Sequence, residues 1–116
     1  MSKKGAAFLF DLNTTGAGTV EQASRKTERG DLVALSVTLP QITAQKGDYY
    51  VRAFLAISGT TKTESQIELL GDYIYEGHTP SFHGRIPLVE DTHIVVQVWT
   101  DTATQVRING TIEDEV

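Results

Sequence analysis

Residues 84–113, GRIPLVEDTHIVVQVWTDTATQVRINGTIE, hold the single tryptophan of the chain and two of its clearest strand patterns. Within them, residues 94–99 (IVVQVW) and 105–113 (QVRINGTIE) each alternate two sets of side chains, one of which is almost wholly aliphatic. Because successive side chains of a strand leave opposite faces of a sheet, this period of two predicts half-buried strands. The polar residues 100–104 between them predict a turn, so the stretch is typical of a β-hairpin.

Similar patterns extend over most of the remaining chain. Strands are predicted at residues 6–12, 31–39, 49–58, 66–70, 72–75 and 82–88. The two short strands meet at Gly71, where a break or a bulge is expected. Phe54 and Ala56 make both faces of residues 49–58 apolar, which indicates a strand that is central in its sheet or covered by a partner.

Two places leave alternatives open. Asn109-Gly110 is a strong hairpin signal, so the last pattern predicts either one long strand or a tight turn followed by a separate strand. Residues 13–30 have the capping-box spacing of a helix start at Thr19 and Gln22, but few apolar side chains. A helix there would have almost no face to bury, so a flexible arm or a short solvated helix is expected.

These patterns together predict the fold class. About seven to nine short strands, with turn signals roughly every 8–12 residues, are typical of an antiparallel β-sandwich or a jelly roll. No connecting segment has the apolar spacing of a long helix. We therefore predict a single all-β, jelly-roll-like domain over residues 1–116, with an N-terminal arm or short helix at residues 13–30.

The composition excludes several classes of protein. The 116 residues carry a net charge of −5, which argues against partners that are nucleic acids or anionic membranes. No apolar run is long enough for a transmembrane helix, and Asp11 interrupts the first apolar patch too early for a signal peptide. Synthesis in the cytoplasm is therefore expected. The sequence contains no cysteine, which excludes disulfides and thiolate chemistry.

The residue types that perform catalysis or bind metals show no diagnostic spacing. The three histidines and nearby carboxylates are candidate metal ligands: His78, His83 and His93 with Asp72, Glu76, Glu90 and Asp91. They lack the helical spacing of a zincin and the His-x-His pair of a cupin. No serine lies in a G-x-S-x-G elbow. We expect no metal, no cofactor and no catalytic residue, and a small enzyme is the third of three interpretations.

The aromatic residues are the most informative candidates for an interface or a binding surface. Tyr49, Tyr50, Tyr73, Tyr75 and Trp99 are numerous for a small sandwich, and such residues serve as core anchors, interface anchors or sugar-stacking platforms. The hypothesis is that four apolar side chains lie at a subunit contact, namely Val20, Tyr50, Phe54 and Trp99, with residues 13–30 embracing a neighbour. If the aromatic residues instead stack on sugars, the protein is a carbohydrate- or ligand-binding module with glycan partners, and this is the alternative function.

The alternation that ends in residues 106–113, VRINGTIE, resembles that of small β-sandwich virion proteins of phages, such as capsid-decoration and tail proteins. The resemblance covers the β-region and has no diagnostic motif. It implies a non-catalytic structural or assembly protein, incorporated into a virion as a symmetric homo-oligomer in contact with other virion proteins.

Overall fold

The computed structural model describes residues 3–16, 18–27, 29–39, 49–57, 66–75, 78–88 and 92–115. Within these ranges the chain forms eight β-strands and no helix. The strands are β1 (Lys3–Asn13), β2 (Val20–Lys26), β3 (Gly30–Thr38), β4 (Tyr50–Ile57), β5 (Gln66–Tyr73), β6 (Ser81–Leu88), β7 (Thr92–Trp99) and β8 (Gln105–Glu115).

The strands form two antiparallel sheets of four strands each. Sheet 1 has the order β1-β8-β3-β6, and sheet 2 has the order β2-β7-β4-β5. Only β4 and β5 follow each other within one sheet; every other consecutive pair lies in opposite sheets. Eight strands connected in this way across two sheets make a jelly roll. The prediction of an all-β antiparallel sandwich is confirmed.

The core lies between the sheets and is built from the aliphatic side of each alternating pattern. Ile94, Val96 and Val98 of β7 point inward from sheet 2 and are fully buried, and so are Val106 and Ile108 of β8 in sheet 1. Each such side chain contributes about 1.5–3 kcal/mol by leaving water. The strand periodicity of the sequence therefore identifies these core positions correctly.

The predicted hairpin of β7 and β8 is wrong, because the two strands lie in different sheets. Residues 100–104 carry the chain from one sheet to the other, so the aliphatic faces of β7 and β8 both line the core between the layers. Thr14 stabilises this connecting segment, because its hydroxyl donates to the Thr102 carbonyl (2.7 Å) and accepts from the Thr104 amide (2.9 Å).

The alternative of a turn at Asn109-Gly110 is also wrong. β8 continues through both residues to Glu115, paired with β1 on one side and β3 on the other. Gly110 is needed for another reason: the Phe8 ring of the neighbouring strand occupies the place where a Cβ at position 110 would lie. The glycine thus makes room for a core aromatic ring rather than for a turn.

The arm or helix predicted for residues 13–30 is replaced by strand β2. This strand pairs with β7 along its whole length, from Val20 opposite Trp99 to Lys26 opposite His93. As an edge strand of its sheet, β2 satisfies its backbone on one neighbour and buries few side chains, so it needs little apolar sequence. That is why its composition did not reveal it.

The region around Gly71 differs from the prediction in detail. Residues 66–70 and 72–73 belong to one strand, β5, and its register shifts between Glu68 and Leu70 rather than at Gly71. The prediction for β4 is confirmed: it lies inside sheet 2 between β7 and β5.

Candidate functional site

The outer face of sheet 2 carries a row of large side chains that crosses all four strands. The pairing register places Val20 of β2 opposite Trp99 of β7, Trp99 opposite Tyr50 of β4, and Tyr50 opposite Tyr73 of β5. We call Val20, Trp99, Tyr50 and Tyr73 the aromatic row. Cross-strand neighbours that share a face lie about 4.5–5.5 Å apart at Cβ, so the four side chains form one continuous surface.

The rings of the aromatic row are ordered by contacts with each other. Tyr50 packs edge-on against Tyr73, with ring centroids 5.1 Å apart, and against Trp99 at 5.6 Å. Despite these contacts, Val20 is 46% exposed, Trp99 39% and Tyr73 38%. The sheet thus holds a fixed, uncharged and largely apolar ridge in contact with water.

A chain of polar side chains runs beside the aromatic row, toward the opposite end of the strands. Gln97 donates from Nε2 to Oε1 of Gln22 (3.1 Å), and Arg52 donates from Nη1 to Oε1 of Gln97 (3.3 Å). Arg52 also donates from Nε to both carboxylate oxygens of Glu68 at 2.9 Å. We call Gln22, Gln97, Arg52 and Glu68 the polar row.

Beyond the polar row, the same outer face becomes apolar and buried. Phe54, Ala56 and Val95 form a cluster separate from the main core, and each is at most 1% exposed. The Arg52 guanidinium lies over the Phe54 ring, 4.4 Å from its centroid. We call these three residues the apolar patch.

The structure places three of the four predicted interface residues together. Val20, Tyr50 and Trp99 are neighbours in the aromatic row, whereas Phe54 lies in the apolar patch and offers no exposed surface. Tyr73 completes the row although the interface hypothesis did not include it. Its place depends on the register between β4 and β5, which the sequence pattern does not specify.

The outer face of sheet 1 has a different character, with a shallow depression in its middle. The outward residues that line the depression are Ala7, Ala34, Ser36, His83, Asn109 and Thr111, and the buried residues Phe8, Leu35 and Gly110 complete its lining. No Phe, Tyr or Trp projects outward from this lining, whereas the outer face of sheet 2 carries the aromatic row; beside the depression, opposite Asn109, Leu9 is 49% exposed.

Two groups of charged side chains lie on sheet 1 on either side of the depression. Asp11 accepts from Arg107 (3.2 Å) and from Gln105 (3.0 Å). Arg85 donates to Glu113 (2.6 Å) and to Asp31 (2.8 Å). The hydrogen bond to Glu113, and then the one to Asp31, raise the pKa of Arg85 above its usual value.

The three histidines lie in three separate places. His78 contacts Asp72 through Nε2 (2.8 Å) and stacks on Tyr75, whereas His83 lies on the outer face of sheet 1. His93 lies on β7 in sheet 2, and its Nδ1 is buried without a hydrogen-bond partner. Among the described residues, no three His, Asp or Glu side chains converge as metal ligands. The other candidate ligands, Glu76, Glu90 and Asp91, lie outside those residues.

The described ranges also contain no helix long and apolar enough to cross a membrane.

Comparisons with known proteins identify the fold but no family. No family model and no curated protein matches the chain. Among solved structures, it is similar to a protein of Bacillus endospore appendages, described as a novel family of disulfide-linked pili. The two share 17% identity at a TM-score of 0.56, over 99% of this chain and 89% of that chain. The chain also matches FlhE with 12% identity and a TM-score of 0.46, over 93% of this chain and 96% of that one. At such identities the similarity concerns the fold alone.

Proposed function

We propose that the protein is a non-catalytic structural subunit that self-associates through the aromatic row. The observation that carries this proposal is the exposure of Val20, Trp99 and Tyr73 in one uncharged ridge across sheet 2. Large aromatic side chains held in place by neighbours are the residues that dominate the binding energy of protein interfaces. Their contacts with each other reduce the conformational entropy that is lost when a partner docks.

The similarity in fold to a pilus protein of Bacillus endospores is consistent with a subunit that builds larger structures. That protein belongs to a family described as disulfide-linked, whereas this sequence of 116 residues contains no cysteine. Self-association of this chain is therefore non-covalent, and dithiothreitol is expected to leave the mass of the assembly unchanged. Synthesis in the cytoplasm and incorporation into a virion remain predictions from the sequence.

The test is the solution mass of the purified chain, measured by light scattering across a range of concentrations. The wild type is expected to exceed the 12.7 kDa of one chain as the concentration rises. Trp99→Ser removes the largest ring of the row. Loss of such an anchor weakens an interface by at least about 2 kcal/mol, which is roughly a 30-fold rise in Kd.

The matched control is Ile67→Ser. Ile67 is also a large and exposed side chain of sheet 2, but it pairs with Leu55, so its side chain does not point to the face of the row. This variant is expected to assemble like the wild type. A wild type that remains at the mass of one chain, or a Trp99→Ser variant that assembles normally, would refute the proposal.

A second candidate function is the binding of a glycan on the same face. It is favoured by the position of the polar row beside the aromatic row, because aromatic faces with adjacent amide and carboxylate groups are typical of small-molecule sites. A glycan-array signal that Trp99→Ser abolishes, from a wild type that stays monomeric, would support this function and exclude the first.

A further inference from the structure

We infer that the aromatic row of one copy docks into the depression on sheet 1 of a second copy, so that copies join head to tail. This inference rests on the proposed function, because it names the partner surface of the same row. The two surfaces lie on opposite outer faces of the sandwich, so the contact is between unlike surfaces.

The first argument is the match of shape and chemistry. The row consists of Val20 and three exposed or half-buried aromatic rings. The depression combines small outward side chains, such as Ala7 and Ala34, with the apolar Phe8 and Leu35. The row also brings two tyrosine hydroxyls and an indole N–H, which need partners when they are buried. Ser36, Asn109 and Thr111 line the depression and offer hydroxyl and amide groups to them.

The second argument is charge. Among the outward side chains that the structure describes on sheet 2, Lys26 and Arg52 oppose a single carboxylate, Glu68, so this face has a net charge of +1. Among the outward side chains described on sheet 1, three carboxylates oppose two guanidinium groups, giving −1: Asp11, Asp31 and Glu113 against Arg85 and Arg107.

Contact between unlike faces therefore brings opposite net charges together. Contact between two identical faces would bring like charges together, which is unfavourable at an interface. Electrostatic complementarity thus favours a second copy that presents sheet 1 over one that presents sheet 2.

A contact between unlike surfaces has a structural consequence. Each copy keeps one free aromatic row and one free depression after docking, so growth continues until a ring closes or a filament forms. A contact between two aromatic rows would instead stop at a dimer. The mode of growth therefore distinguishes the two arrangements.

The experiment uses one variant for each face. The row variant is Trp99→Ser, with Val20→Ser/Tyr73→Ser as a second version that leaves the inner strand β7 unchanged. The depression variant is Ala7→Arg/His83→Arg, which introduces long side chains from the two edge strands of sheet 1, where both native residues are exposed. Circular dichroism and urea unfolding establish that each variant is folded before its mass is measured by light scattering.

Each variant alone is expected to remain at the mass of one chain at concentrations where the wild type assembles. An equimolar mixture is expected to form a complex of two chains and nothing larger, because only one intact row and one intact depression remain per pair. If the depression variant assembles like the wild type while the row variant does not, the inference fails and the proposed function stands. If both variants assemble, or if the wild type does not, the proposed function fails as well.

Discussion

The two outer faces of this jelly roll follow the same alternation but carry opposite kinds of side chains. On sheet 1, the outward positions around Ala34 and Asn109 are mostly small or polar, with Leu9 as the exception, and the charged residues there pair with each other. On sheet 2, outward positions hold the aromatic row and, further along the same strands, the apolar patch. Both faces are outer by topology, yet sheet 1 exposes Leu9, a large aliphatic side chain on its edge strand β1, whereas sheet 2 carries a continuous row of large side chains.

This difference shows what the alternation of a strand determines and what it leaves open. A period of two assigns side chains to two faces, and the wholly aliphatic set goes to the core. The size and polarity of the other set decide what the outer face can contact. In this protein the candidate site lies on the outer face with the larger number of exposed apolar side chains, which is that of sheet 2.

The largest loss of stability is expected in the apolar patch, and it should clearly exceed the loss in the aromatic row of the same sheet. Phe54→Ala removes a fully buried ring from the apolar patch, and such a change costs about 3–5 kcal/mol of stability. Tyr73→Ala, in the exposed aromatic row, loses mainly its edge-on contact with Tyr50, worth about 0.5–1.5 kcal/mol. Urea unfolding of both variants measures the difference. Equal losses would show that the apolar patch is not excluded from water in solution.

The second-largest loss of stability is expected when a glycine of sheet 1 is replaced, and a glycine of sheet 2 serves as the comparison. Gly110→Ala places a methyl group against the Phe8 ring inside the core, and overpacking of this kind costs about 1–3 kcal/mol. Gly71→Ala on sheet 2 meets the ends of two side chains that can move, the Tyr50 hydroxyl at 3.1 Å and a Glu68 carboxylate oxygen at 3.6 Å, and is expected to cost less.

The cause of the Gly110 effect can be checked by a double variant. Phe8→Leu makes room beside position 110, so Phe8→Leu/Gly110→Ala should be more stable than the sum of the single losses implies. Strictly additive losses, measured by urea unfolding, would rule out the ring as the source of the effect.

The fold class and much of the core could be predicted from sequence because they depend on local periodicity. Ile94, Val96 and Val98 belong to the core on that ground alone, and the structure agrees. The order of the strands could not be predicted, since β7 and β8 have the same pattern whether they pair with each other or face each other across the core. Strand β2 was missed because an edge strand can be held by its backbone with little apolar sequence.

The candidate site was predicted in part for a related reason. Tyr50 and Trp99 are apolar side chains on strand faces expected to be polar, and Val20 was assigned to an arm that embraces a neighbour; both expectations come from the sequence alone. Whether these residues lie beside Tyr73 depends on the registers of three strand pairs. The burial of Phe54 depends on tertiary packing. Neither property is local, so residue type alone could not distinguish the exposed row from the buried patch.

A smaller effect is expected from the arginine that separates these two regions. Arg52→Ala removes the hydrogen bonds to Glu68 and Gln97 and the contact with the Phe54 ring. Because its side chain is 28% exposed and its main partner Glu68 is 51% exposed, the loss should be about 1 kcal/mol. The urea midpoint measures it, with Gln22→Ala, at the end of the polar row, as the milder control. A loss as large as that of Phe54→Ala would mean that Arg52 is needed for the packing of the patch itself.

The smallest effect is expected on sheet 1, from Arg85→Gln. Its guanidinium is exposed and bonds two carboxylates, Glu113 and Asp31, so added salt should weaken what it contributes. Those hydrogen bonds raise the pKa of Arg85 above its unfolded value, so the stability they provide is fully present below the unfolded pKa and is lost only as the pH rises through the folded one. Both pKa values lie far above neutral pH, so the difference between Arg85→Gln and the wild type that is due to this shift should be constant from about pH 6 to 9. Urea midpoints in low and high salt across that range measure both properties. A difference larger than that of Arg52→Ala, or one that salt does not reduce, would mean that sheet 1 depends on its charged groups more than sheet 2 depends on its polar row.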